Sequence, residues 1–365
     1  MLDPYQQRTL TFIGHSGMQI LIRTGSSPEI GGGHITRTMA LADTLHSLGA
    51  EITFALRGNC ALKNHYHFKS ICLPGKPGEM PGITRDEWDI LVHYLDFYDA
   101  IITDAYEIGV KELTSLASTR KLVACIDDRL GNFCGAHLVI NQNPYANALG
   151  LQISEGARLL YGPRYAMLRS EIAKARFISP PDPPPYRVAI MIGSSDLMGA
   201  TAPLISAMAG AKTSLPVRID AILGHMAPTL EAVQKAVSKA DHAKLHINPP
   251  NLAQLLATSH VAIIAAGTSA LELACLGVPA VMVVVAKNQE SSAAAWHELG
   301  VHISVGFFEE GIEEYAAEKV ISLLNDCELR SSMSAKGKAI VDGLGTVRVA
   351  REIVKAIEKR HGEAA

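Results

Sequence analysis

Short aliphatic runs rich in Val and Ile alternate along the chain with longer stretches of helical period. Runs that are apolar throughout predict strands buried on both faces, as in a parallel sheet covered by helices on either side. The first set of predicted strands is Met18–Thr24, Ile52–Leu56, Phe68–Leu73, Ala100–Thr103, Lys121–Ile126, His137–Ile140 and Arg158–Leu160. A break follows at Ile178–Tyr186, whose prolines forbid a helix and favour a stiff, extended linker. Beyond it come Arg187–Ile192, Val217–Leu223, Lys244–Ile247, His260–Ala265, Val278–Val285 and Val301–Val305. The pattern therefore divides the chain into an α/β domain at 18–179, a linker at 180–186, a second α/β domain at 187–350 and a C-terminal helix or tail at 351–365. Leu329–Arg360 reads as charged, amphipathic helix, whose last part is free to cross back onto the first domain.

Composition agrees with two domains. At 365 residues and 48% hydrophobic, the chain is too long for one core and too apolar to be disordered. Thirty-three Lys+Arg against 36 Asp+Glu, with no basic run, argue against nucleic acid as a partner. The longest apolar run, Val278–Ala286, is about half of the roughly 20 residues a membrane helix needs, so no stable membrane association is expected. Met1–Gly17 lacks the pattern of a signal peptide, which points to the cytoplasm. Six scattered cysteines without a C-x-x-C pair disfavour both disulfides and zinc. With no heptad repeat, a monomer is expected.

In parallel sheets ligands bind beyond the carboxyl ends of the strands, so the residues there are the candidates. Gly31–Gly33 precede a helix start, where glycine lets backbone approach a ligand and the free amides favour an anion. The run is neither G-x-G-x-x-G nor a P-loop, and the next strand ends in Arg57 where a dinucleotide site would place an acid. A glycine turn for close helix packing is the plainer alternative. His34 follows in the first helical turn, where the positive helix end disfavours imidazolium and leaves the neutral ring a general base needs. His65 and His67 lack further ligands at metal spacing and read as loop residues. Asp104, Asp127 and Asp128 fit acid, base or metal-ligand roles, and equally helix caps or turns. In the second half, Gly267-Thr-Ser-Ala-Leu-Glu272 reads as a turn into a helix start able to hold a diphosphate, with Glu272 suited to a ribose diol. Ser269-x-x-Glu272 is also a capping box that would satisfy the helix end alone. Lys287-Asn-Gln-Glu290 sets four polar groups where the most apolar strand meets the cleft.

Taken in order, Ile30-Gly-Gly-Gly-His-Ile-Thr-Arg37, Asp104-Ala-Tyr106, Ile126-Asp-Asp128, Asn141-Gln-Asn-Pro-Tyr145, Tyr161-Gly162, Ala266–Glu272 and Lys287-Asn-Gln-Glu-Ser291 resemble a known family. It is the nucleotide-sugar hydrolases of pseudaminic acid biosynthesis, which release UDP from UDP-2,4-diacetamido-2,4,6-trideoxy-β-L-altropyranose. The resemblance implies a GT-B-like α/β fold, two Rossmann-like doubly wound domains facing across a cleft, with no metal or other cofactor. It implies that His34 activates water and that Tyr106 and Asn288 place water or sugar. Gly32, Gly33, Arg37, Asp104, Asn141, Gly193, Thr268, Ser269, Glu272 and Gln289 are the substrate-binding residues it implies, the segment around Thr268, Ser269 and Glu272 taking diphosphate and ribose. The chain departs from the family at Gly193-Ser-Ser-Asp196, where Ser stands for a usual Gly, and in the extension Met1–Gly17. A GT-B glycosyltransferase with a UDP-sugar donor and a non-catalytic UDP-sugar-binding protein are the alternatives.

Overall fold

Each of the thirteen apolar runs forms a strand, with ends displaced by at most two residues. The computed structural model describes residues 17–25, 32–57, 68–75, 82–128, 135–146, 155–225 and 227–364. Gly31, His65, His67 and Met1–Ser16 of the extension lie outside this set. The first sheet contains β1 (Gln19–Thr24), β2 (Glu51–Arg57), β3 (Lys69–Leu73), β4 (Ala100–Asp104), β5 (Leu122–Ile126), β6 (Leu138–Asn141) and β7 (Arg158–Tyr161). Its order is β3-β2-β1-β4-β5-β6-β7, and every pairing is parallel. The second contains β8 (Tyr186–Met191), β9 (Val217–Leu223), β10 (Ala243–Ile247), β11 (Val261–Ala265), β12 (Ala280–Val284) and β13 (Ile303–Phe307), again all parallel, in the order β10-β9-β8-β11-β12-β13.

The helices of the first half are α1 (Gly33–Ser47), α2 (Arg85–Leu95), α3 (Val110–Ala117) and α4 (Ser170–Ala175). The second half has α5 (Thr201–Gly210), α6 (Leu230–Ser238), α7 (Leu252–Ala257), α8 (Ser269–Leu276), α9 (Glu290–Glu298), α10 (Ile312–Asn325), α11 (Cys327–Ile340) and α12 (Gly345–Ala364). Helices cover both faces of each sheet, so β1, β4, β5 and β6 present no polar face and read as continuous apolar runs. In the first sheet, α1 packs on one face and α2 and α3 on the other.

The chain crosses between the two halves twice. The first crossing carries α4, whose Ile172 and Ala175 join the core around α8. The second carries α12 back, placing Val349, Ala350, Ile353, Val354 and Ile357 in the core beside α1. The crossings touch at Gly345, where a Cβ would lie 2.3 Å from the Ala166 carbonyl oxygen. Gly345→Ala must therefore push backbone apart, and thermal unfolding should show a loss of about 1–3 kcal/mol or more; an unchanged midpoint contradicts the tight crossing.

One expectation is corrected. Cys72 on β3 is disulfide-bonded, whereas cysteine spacing argued against disulfides, because spacing along the chain does not register which residues folding brings together. Cys275 and Cys327 are free thiols, and Cys60 and Cys134 lie outside the described residues. No described helix is long and apolar enough to cross a membrane.

Candidate functional site

Strand order reverses between β1 and β4 in the first sheet and between β8 and β11 in the second. Such switch points leave a crevice at the carboxyl edge of the sheet, because the connections on either side depart in opposite directions. Here the two crevices face each other. The segment after β1 enters α1 and the segment after β11 enters α8, and a Cβ on Gly33 would stand 3.4 Å from the Thr268 side chain. A Cβ on Gly32 would stand 3.4 Å from Ser194 Oγ, in the turn after β8. The two helix starts therefore lie within about one van der Waals contact of each other.

Neither helix start is capped by its own side chain: Gly32 and Thr268 are the N-caps, and neither makes a side-chain capping bond. Two sets of backbone amides and two positive helix ends converge on one gap. The capping box read from Ser269 and Glu272 is not formed. Thr268 takes the cap position, which moves Ser269 into the helix and the box out of register. The Glu272 carboxylate instead accepts a 2.9 Å bond from Arg169 Nη2.

His34 lies in the first turn of α1 and is almost wholly buried. Its Nδ1 donates to Asp104 Oδ1 at 2.6 Å. Asp104 ends β4, the strand beside β1, and is fully buried. Burial alone would raise its carboxyl, yet the Arg37 guanidinium and His34 more than offset this and hold it at about 2. Arg37, one turn after His34, grips the same carboxylate with Nε on Oδ2 at 2.7 Å and Nη2 on Oδ1 at 2.6 Å. Its Nη1 reaches Asp128 Oδ2 at 3.0 Å, just past the end of β5. Burial would raise the Asp128 carboxyl as well, but Arg37 brings it below its ordinary value.

An ionised carboxylate only accepts, so the proton between His34 and Asp104 belongs to Nδ1, and Nε2 of the neutral ring keeps its lone pair. The Tyr106 ring meets the imidazole edge-on, centroids 4.7 Å apart. Burial pushes its phenol up to about 12, so the hydroxyl stays protonated at neutral pH, and it shares a side-chain hydrogen bond with Asn288. Asn288 belongs to the short turn Lys287–Gln289 before α9, so this bond spans the cleft.

Asp104 and Arg37 lie beneath His34. Asn141 ends β6 and is buried, its Oδ1 accepting from the Asn143 amide at 3.0 Å, while Nδ2 makes no hydrogen bond among the described residues. Gly193 and Ser194 follow β8, and Gly224 N–H donates to the Ser194 carbonyl at 3.0 Å. Gln289 turns inward, its Oε1 accepting from Val285 N–H at 3.1 Å. Asp128 was legible as an acid, base or metal-ligand candidate and equally as a cap or turn, whereas Tyr145 and Arg169 carried no assigned role in the sequence. The Tyr145 hydroxyl donates to the Asp128 carbonyl at 2.8 Å. Position at a strand end was a usable signal for Asp128; none existed for Arg169.

Comparison with solved structures decides the architecture. MurG of Acinetobacter baumannii superposes with a TM-score of 0.65 at 15% identity, over 93% of this chain and 99% of that one. Anabaena HepE, in complex with UDP and glucose, gives 0.57 at 16% identity, over 94% and 100%. The fold is GT-B. No protein-family model matches the chain. Among curated proteins, the spore coat polysaccharide biosynthesis protein SpsG of Bacillus subtilis is 23% identical over 54% of this chain. The UDP-2,4-diacetamido-2,4,6-trideoxy-β-L-altropyranose hydrolase of Campylobacter jejuni is 24% identical over 76% of it. These matches span 58% of SpsG and 95% of the hydrolase.

Proposed function

We propose that the protein hydrolyses a UDP-linked 2,4-diacetamido-2,4,6-trideoxyhexose at its anomeric carbon, releasing UDP and the free sugar. The observation that carries this reading is His34, held by Asp104 with Nε2 as its lone-pair nitrogen, opposite the uncapped start of α8. The likeness to the Campylobacter hydrolase across nearly all of that protein's length supports it.

In this mechanism Nε2 takes a proton from water, the water oxygen bonds to C1, and the C1–O bond to UDP breaks on the opposite face, inverting the centre. Arg37 is one cation against the two carboxylates Asp104 and Asp128. The proton arriving on His34 therefore completes the charge balance of the cluster. Thr268 and Ser269 amides receive the leaving diphosphate, each well-placed donor being worth about 3–4 kcal/mol in the transition state. Tyr106 and Asn288, joined across the cleft, place water or sugar, and Glu272 takes the ribose.

The test is incubation with the UDP-sugar in EDTA and ¹⁸O-water. Free UDP should accumulate and the heavy oxygen should appear on the sugar C1 hydroxyl. Label in UDP would mean attack at phosphorus and would end this reading. The glycosyltransferases among the structural neighbours favour a second reading, in which a sugar or lipid hydroxyl replaces water. UDP release that depends on an added acceptor distinguishes it, and stoichiometric binding without release marks a non-catalytic binder.

A further inference from the structure

Arg169 reaches Glu272 from the first of the two chain crossings. It stands at the N-terminus of α4, next to Leu168, whose N–H donates to Thr346 Oγ1 at 2.9 Å, while Thr346 Oγ1 donates back to the Leu168 carbonyl at 3.0 Å. One helix on, Arg176 donates to the carbonyls of Lys338 and Asp342 at 3.1 and 3.0 Å. These bonds tie the two chain crossings together, and Arg169 projects from the tie onto α8. Its Nη2 holds Glu272 Oε1 at 2.9 Å, with 10% of the Glu272 side chain exposed. Nη1 lies 3.5 Å from Glu171, a neighbour on its own helix that is half exposed. The shielded bond to Glu272 is the one that fixes geometry, since a charge-assisted bond to a mostly buried carboxylate oxygen restrains it and exposed pairs contribute little.

We propose that Arg169 is a positioning residue for the nucleotide. By holding Oε1 it fixes the Glu272 carboxylate and presents the remaining oxygen as acceptor for the ribose hydroxyls, so that ordering a flexible side chain is not charged against binding. The proposal rests on α8 being the UDP-binding helix. It goes further in making ribose recognition depend on a residue of the domain crossing, 103 positions from Glu272 in sequence.

Calorimetric titration with UDP and with 2′,3′-dideoxyuridine diphosphate tests it on wild type, Arg169→Gln, Glu272→Gln and the double variant. Arg169→Gln should weaken UDP about tenfold, a coupling of ordinary size for contacting residues. The dideoxy nucleotide should bind wild type and Arg169→Gln alike, and the Arg169 effect should vanish in the Glu272→Gln background. Arg169→Lys should recover part of the loss, and it carries the same comparison if the Gln variant does not fold. Equal weakening of both nucleotides, or additive losses in the double variant, overturns the proposal. Failure of wild type to bind UDP overturns the reading of α8, and the proposal falls with it.

Discussion

His34→Asn should lower turnover by about 10²–10⁴-fold or more, the range ordinarily supplied by a positioned general base, while leaving UDP affinity close to that of wild type. The separation is expected because the two roles sit on different domains. The imidazole belongs to α1, whereas the amides and carboxylate assigned to UDP belong to α8. Asn can still accept or donate near Asp104, so the buried carboxylate keeps a partner and the fold should survive. Kinetics of UDP release beside calorimetric UDP binding measure both halves. A variant that retains a substantial fraction of turnover removes His34 as the base; one that loses UDP binding in parallel would mean that the change disturbed the cleft.

Asp104→Asn should reduce turnover by a comparable factor through the histidine tautomer. The amide can donate to His34 Nδ1, which drives the ring proton onto Nε2 and removes the lone pair facing the cleft. Loss of the equivalent carboxylate in serine proteases costs about 10⁴ in kcat, the scale expected here. The same change leaves its mark on stability. With the folded carboxyl at about 2 against an ordinary 3.8, Asp104 stabilises the native state above pH 3.8 by about 2 kcal/mol, and this is lost as pH falls through 3.8 towards 2. Denaturant titrations of wild type should therefore weaken across that interval, and those of Asp104→Asn should be weaker at neutral pH and flatter below pH 4. Parallel acid limbs in the two proteins would show that Asp104 is not held ionised by Arg37 and His34.

Both expectations depend on contacts of different legibility. His34 was readable because a glycine run, a helix start and a strand end coincide within a few residues. Its partner was readable only as a candidate. Asp104 lies 70 positions away, and nothing local distinguishes a carboxylate that supports a histidine from one that caps a helix. Arg37 is similar: the resemblance implies a substrate contact, and the structure spends its guanidinium on Asp104 and Asp128 beneath the cleft. At Ser269 the local pattern misled, since a one-residue difference in helix start changes which side chain can cap and leaves Glu272 for Arg169.

The sequence by itself determined thirteen strands, the helices between them and the row of polar groups at the strand ends. These follow from burial on both faces of a parallel sheet, which writes each strand as a continuous apolar run. Tertiary structure alone decided that β4 lies beside β1, that the two switch points face each other, that α12 returns to the first domain and that Cys72 is bonded. Periodicity reports how a segment alternates between solvent and core. It is blind to which buried neighbour fills that core, because any apolar partner satisfies the pattern equally, and that choice brings His34, Asp104 and Arg37 together.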